Sequence, residues 1–287
     1  MRPRFDREAR RRWKDVTMNF AALLCVVIAL VPLGSLLFEA TIRGIRSITP
    51  SFLTLTTGNG GIGNAIQGTL ILIALTSVIA LPVGILTGIY LAEYGKNRAG
   101  AAVRFFVDVM TQIPSIVVGI FAFSLILELG AVGIVSPRLV FSTTTGVIAL
   151  STIMVPFIAR TSEEALRLVP ISTRESALAL GIPRYRTILR VVLPSASSAV
   201  ITGALLGIAR VGGETAPLLM TCLGSSFWFG GLDQPCESLP HTIYVFALGP
   251  DSALNQAAWG ASLILVLMML GIAITSRVVI RLRSVSG

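Results

Sequence analysis

"AIQGTLILIALTSVIALPVGILTGIYLA", residues 65–92, runs without a single Asp, Glu, Lys or Arg. A helix needs about 20 apolar residues to cross a hydrocarbon core ~30 Å thick. In lipid it must also satisfy its backbone hydrogen bonds within itself. The stretch therefore reads as a membrane-spanning helix. The uncharged region begins earlier, at Ser47, and is too long for one span. Its first part, "SITPSFLTLTTGNGGIGN" (47–64), reads as a Ser/Thr/Gly-rich loop and a flexible lead into the helix.

Working outward, uncharged runs of similar length occur at Val16–Phe38, Val109–Leu127, Leu139–Ala159, Val191–Ala209 and Ser252–Ser276. The fold class is thus an all-α integral membrane protein with six transmembrane helices. Composition agrees: 54% of the 287 residues are hydrophobic and only 13% are charged, against about 25% charged in soluble domains. Several of the apolar segments contain proline (Pro32, Pro82, Pro114, Pro156, Pro217), which implies kinks in a packed bundle. Gln112 and Ser115, beside Pro114, are expected at mid-membrane depth. They either line a cavity or satisfy a proline kink locally.

The first run follows a basic segment, "MRPRFDREARRRWK" (1–14), but is 23 residues long and has no A-x-A-type site after it. It reads as a retained first helix, since a signal-peptide core is about 7–15 residues. Orientation comes from Lys/Arg bias. Seven Lys/Arg precede residue 15, and the segments after the second, fourth and sixth spans carry further clusters. The alternate loops hold Arg43 and Arg46, then Arg138, then none between residues 211 and 256. Six spans with both termini cytoplasmic fit every loop. The expected divisions are a basic tail (1–16), a first transmembrane helix and external loop (17–64), a five-helix core (65–283) with a cytoplasmic loop at 161–194, and a C-terminal tail (284–287).

The net charge of +9 is a topology signal, because no nucleic-acid motif accompanies it. There is no G-x-x-x-x-G-K-[ST], so the chain holds no P-loop for ATP. "GNGGIG" (58–63) matches G-x-G-x-x-G formally, but no strand precedes it. His241 is the only histidine, which leaves no His-rich metal site, and no cofactor is expected. Cys25 reads as a packed residue. Cys222 and Cys236 flank one external loop, where they either pair as a disulfide or stay as two thiols.

The loop "TSEEALRLVPISTRESALALGIPRYRTILRVVLPS" (161–195) starts as a helix tail with Glu163 and Arg167 at i,i+4. Pro170 ends that helix. "STRESALALG" then offers a short helix stopped by Gly181 and Pro183. Read locally it is either a connector or a docking element for a cytoplasmic partner. Glu175, Ala177, Gly181, Leu193 and Pro194 resemble the E-A-A-x3-G-x9-I-x-L-P motif of permease subunits of bacterial ABC importers, with Ser176 and Val191 as departures. In that family the motif forms a coupling helix seated on the ATPase, so the resemblance implies ATPase coupling by those five residues and a type I importer bundle. "IARVGGETAPLL", "QIPSIVVGIF" and "EEALRLVP" resemble more narrowly the phosphate-specific importer permeases, from about residue 60 onward. That resemblance implies a second related permease, two ATPase subunits, an extracytoplasmic phosphate-binding protein, and a bacterial cytoplasmic membrane.

"GIARVGGETAPLLM" (207–220) places Arg210 and Glu214 in an apolar run. A charge at the centre of a span costs roughly 2.5–3.5 kcal/mol on insertion scales, so the two should face each other or a cavity. Arg210 lies 16 residues beyond Pro194, about 24 Å along a helix, which points to the outer half of the membrane. The pair is either a structural brace or a site where Arg210 meets a passing anion while Glu214 holds its guanidinium and limits retention. Gly212 and Gly213 permit a helix break beside it. Arg160 reads locally as a snorkelling residue near the cytoplasm; the resemblance adds it to the transport path. The readings to separate are a phosphate permease, a permease for another oxyanion such as molybdate or sulfate, and a channel or symporter working alone.

Overall fold

The computed structural model describes the backbone of residues 4–285 and the side chains of residues 12–275 and 277. Five of the basic residues before residue 15 thus have side chains outside the description, as do Arg281, Arg283 and most of the C-terminal tail. Twelve α-helices are formed among the described residues. They are α1 (Arg4–Ile45), α2 (Pro50–Thr54), α3 (Gly63–Ile89), α4 (Arg98–Gln112), α5 (Ser115–Ala131), α6 (Thr143–Arg167), α7 (Ile171–Ala179), α8 (Arg184–Thr187), α9 (Leu193–Gly212), α10 (Ala216–Thr221), α11 (Leu239–Leu248) and α12 (Ser252–Val285). A π-helical turn, Tyr90–Tyr94, prolongs α3, and another, Ile188–Val192, joins α8 to α9.

Five segments are long and apolar enough to cross a membrane alone: Arg12–Ile45, Gly63–Tyr94, Thr143–Arg167, Arg184–Gly212 and Ser252–Thr275. α4 and α5, which meet at a bend of 106°, make a sixth crossing when the pair is counted as one broken span. Here the sequence expectation is corrected. The run Val109–Leu127 is not one helix. Pro114 has no N–H to donate and restricts its predecessor to extended backbone, and Ile113 sits at φ −67°, ψ 130°. α4 keeps Arg98, Arg104 and Asp108 and leaves Phe105 and Phe106 exposed, the pattern of an amphipathic helix. Gln112 and Ser115 therefore flank the bend and do not lie within one continuous helix; Gln112 Nε2 donates to the Asp108 carbonyl at 3.2 Å. Pro217 likewise starts a helix and does not kink one.

Small residues set the packing. α3 and α6 run in the same direction, with Gly84 against Ile158 and Gly88 against Ser162. α9 runs opposite to α6, with Gly203 against Thr161 and Gly207 against Ile158. These directions are those demanded by one crossing between α3 and α6 and none between α6 and α9. Leu72, Leu150, Met154, Ile158, Val211 and, from α10, Leu218 form the buried centre where these helices meet. By contrast the described side chains of α1 are exposed along most of its length, and it is buried near its end, where Ala40 is covered and Gly44 meets Leu263 of α12.

The external segment before α3 is packed, where the sequence suggested a flexible lead. Ile62 N donates to Phe52 O at 2.7 Å and Gly63 N to Leu55 O at 2.8 Å. Asn64 Nδ2 donates to Ser225 O at 2.7 Å, and Gln67 Oε1 accepts from Phe229 N at 3.2 Å. The glycines permit close backbone approach, and the loop 222–238 folds down onto the outer ends of α3 and α6.

A β-carbon on Gly88 would stand 2.5 Å from Ser162 Cβ and 2.8 Å from the Ala159 carbonyl. Gly88→Val should therefore force α3 and α6 apart at a cost of about 1–3 kcal/mol. Thermal unfolding in detergent should show a lowered midpoint; an unchanged midpoint contradicts this packing.

Candidate functional site

α9 stops at Gly212, and Gly213 donates back to the Arg210 carbonyl at 3.2 Å before α10 begins. The break that Gly212 and Gly213 allow is thus present, and it leaves Glu214 between two helices. Arg210 Nε stands 3.7 Å from Glu214 Oε1, an ion pair too long for a hydrogen bond. The Arg210 side chain is 44% exposed and that of Glu214 16%. Arg210 Cζ also lies 5.6 Å from the centre of the Phe157 ring, a cation–π distance. No hydrogen bond occupies the Arg210 guanidinium among the described residues. Its planar set of donors is held in place and remains open.

The register of α9 on α6 corrects the depth. From the pairs Gly203–Thr161 and Gly207–Ile158, Arg210 falls opposite residues 154–157. At about 1.5 Å per residue, that is near the middle of α6 and not in its outer half. Counting from Pro194 misleads because Val192, Ala196 and Val200 pack on Ala165, Leu166 and Val169, at the cytoplasmic end of α6. The start of α9 lies lower than the sequence suggested.

Arg160 sits toward the cytoplasm from the level of Arg210 by three to six residues along α6, about 4.5–9 Å. The structure does not bring Arg160 into contact with Arg210 or Glu214, although both arginines belong to the α6–α9 pair with Phe157 between their levels. Carboxylates surround Arg160. Its Nε is 2.9 Å from Glu164 Oε1, and its Nη1 is 3.3 Å from Asp108 Oδ1 and 3.9 Å from Glu163 Oε2. Glu163, 1% exposed, also receives Arg104 Nη2 at 2.8 Å and Arg167 Nη2 at 2.6 Å. Of these pairs only Glu163–Arg167 was read from the sequence, although Arg160–Glu163 at i,i+3 and Arg160–Glu164 at i,i+4 are equally local. Arg104 and Asp108, one turn apart on α4, were missed because the bend that brings α4 under α6 was unforeseen.

The cytoplasmic loop contains the expected short helix, α7, of nine residues. Glu175 is exposed, Ala177 is buried, and Gly181 takes φ +75°, a left-handed conformation that favours glycine at a helix end. Leu193 is half-buried and Pro194 exposed at the first turn of α9. The sequence also missed what ties α7 down. Arg174 gives two hydrogen bonds to Glu93 Oε1, at 3.0 Å from Nε and 2.8 Å from Nη2. It also bonds the carbonyls of Leu166 and Val169. Arg184, beyond Gly181, bonds the Glu93 carbonyl and stacks on Tyr94 at 4.6 Å. Both flanks of the α7 turn thus converge on the π-helical end of α3. A cleft of about 730 Å³ lies alongside, lined by Lys96, Arg104, Arg174, Glu175 and Arg184 among others.

Glu93 and Arg174 are both largely buried, at 8% and 19% side-chain exposure. Removing one partner of such a pair leaves a stranded charge, costing about 3 kcal/mol at the lower end of the range for buried pairs. Glu93→Ala should detach the 168–184 segment, read as faster proteolytic nicking there than in the parent; equal nicking rates contradict the tether.

The family described as binding-protein-dependent transport system inner membrane component matches residues 84–283. The phosphate transport system permease protein PstA of Yersinia pestis is 39% identical over 285 residues, covering 97% of this chain and 94% of its own length. The protein of the same description from Xylella fastidiosa (strain 9a5c) is 40% identical over 220 residues, 76% of this chain and 74% of its own. Among solved structures, a bacterial ABC transporter that imports the acidic polysaccharide alginate overlays 96% of this chain and 99% of that one, with TM-score 0.61 and 16% identity. An inward-facing MetNI methionine ABC transporter overlays 82% of this chain and 98% of that one, with TM-score 0.57 and 20% identity. The two structural likenesses concern the fold. With the family match over most of its length, the chain belongs to the binding-protein-dependent transport system inner membrane components.

Proposed function

We propose that the chain is the membrane-spanning permease subunit of an ATP-driven importer of inorganic phosphate. The observation that carries the reading is the open Arg210 guanidinium, held at mid-depth between α6 and α9 beside a broken helix. The substrate class follows from the two PstA relatives, both described as phosphate transport permeases. Arginine suits an oxyanion because it stays charged and offers a planar fork to two oxygens at once. Glu214, at 3.7 Å, orients the fork without satisfying it. Its negative charge also weakens retention, so an anion can leave.

Arg160 serves as a second station toward the cytoplasm. Its three neighbouring carboxylates compensate its charge and favour release there. The route lies in a bacterial cytoplasmic membrane between this chain and a second, related permease. Two ATPase subunits dock below, with Glu175, Ala177 and Gly181 on the docking turn and Leu193 and Pro194 at its return into α9. A phosphate-binding protein delivers substrate from outside. The chain itself is no enzyme and uses no cofactor; ATP hydrolysis is the work of the partner, and access alternates by rigid-body rocking of the paired bundles.

Arg210→Ala should abolish phosphate uptake by cells carrying the assembled complex. Arg210→Lys should restore only part of it, because an ammonium keeps the charge and loses the fork. Initial rates of labelled phosphate uptake, with assembly checked by co-purification, measure both. Normal uptake by Arg210→Ala in an assembled complex reduces Arg210 to a brace.

A further inference from the structure

Cys222 and Cys236 are 14 positions apart in sequence, yet their sulfurs stand 3.6 Å from each other. Both residues are buried, at 2% and 3% exposure. Cys222 closes α10, its Sγ 3.6 Å from the Ser142 carbonyl at the outer start of α6. Cys236 lies just before α11, in the part of the loop where Gln234 O accepts from Thr143 N at 2.9 Å. Gly146 leaves the room that the Cys222 sulfur fills. The enclosed segment holds no Lys or Arg and follows the fifth crossing, which puts it on the side opposite the basic loops. That side is the oxidising one in a bacterial cell.

We propose that Cys222 and Cys236 are joined by a disulfide on the extracytoplasmic face, a covalent clasp at the base of the 222–236 loop. The sulfurs need approach by only ~1.6 Å to reach the ~2.05 Å of an S–S bond. In the seated pair, contact with Cys222 holds the Cys236 thiol below its ordinary value, while the same contact and burial push Cys222 up.

The co-reactant is a protein disulfide of the extracytoplasmic thiol-oxidising class. One of the two cysteines, losing its proton, attacks one sulfur of that disulfide and expels the other as a thiolate, forming a mixed disulfide. The other cysteine, losing its proton, then displaces the oxidant's remaining sulfur and forms the Cys222–Cys236 bond. Two protons and two electrons pass to the oxidant, which leaves as a dithiol. The exchange occurs before the loop seats, because afterwards both sulfurs are covered. Once formed, the clasp joins the end of α10 to the entry of α11. It fixes the loop that bonds to Asn64 and Gln67 on α3 and to Thr143 and Thr144 on α6. The inference does not rest on which anion is carried.

The test uses the complex purified from membranes of oxidising, wild-type cells. It is denatured in excess N-ethylmaleimide without reductant, digested and weighed by mass spectrometry. Cys25 should be alkylated, while Cys222 and Cys236 should appear unalkylated in one cross-linked peptide pair. Prior reduction should give three alkylated cysteines. In Cys222→Ser, Cys236 should be alkylated without reductant. If Cys222 and Cys236 of the parent are alkylated without reductant, the clasp does not exist; that measurement decides even if the variant fails to fold.

Discussion

Two buried carboxylates at the cytoplasmic end, Glu93 and Glu163, hold the architecture together. Each is almost fully enclosed, where an unpaired charge would be costly, and each gathers arginines from a different part of the chain. Glu163 fastens α4 under α6 through Arg104 and anchors Arg160 and Arg167 on its own helix. Glu93 fastens α7 to the end of α3 through Arg174, with Arg184 on its carbonyl. The seat of α4 under α6, the seat of α7 and the position of Arg160 all follow from these attachments.

Above this charged base, the bundle is joined by small residues and apolar side chains. Gly84 and Gly88 let α3 lie against α6, and Gly203 and Gly207 do the same for α9. A displacement applied to α7 is thus delivered to α3 through Glu93, and α3 is in direct contact with the α6–α9 pair that holds Arg210. On this account the charged tether and the glycine seams form one mechanical path from the docking turn to mid-membrane. In the proposed function, this path is what links a partner at the cytoplasmic face to an anion at the level of Arg210.

Much of this was legible in the sequence because the bilayer imposes strong rules. The uncharged runs mark the five helices long and apolar enough to cross a membrane and the bent pair that makes a sixth when counted as one span, and Gly181 and Pro183 mark the end of α7. Arg210 stands out because a charge in an apolar run needs a reason, and Gly212 and Gly213 announce the break beside it. The remainder depends on three-dimensional register. Pro114 was read as a kink, when it sets a 106° bend. The depth of Arg210 was overestimated because Pro194 is no marker of the membrane boundary. Glu93 was overlooked since its partner lies 81 residues away, beyond any local spacing rule.

The central claim is that this chain, with its partners, moves phosphate at the expense of ATP. The most direct measurement is accumulation of labelled phosphate in proteoliposomes holding the purified complex, with binding protein on the outer side and ATP on the ATPase side. The account predicts concentrative uptake that stops without ATP and is not displaced by sulfate or molybdate. Uptake that persists without ATP, or accumulation of sulfate or molybdate in place of phosphate, would contradict it.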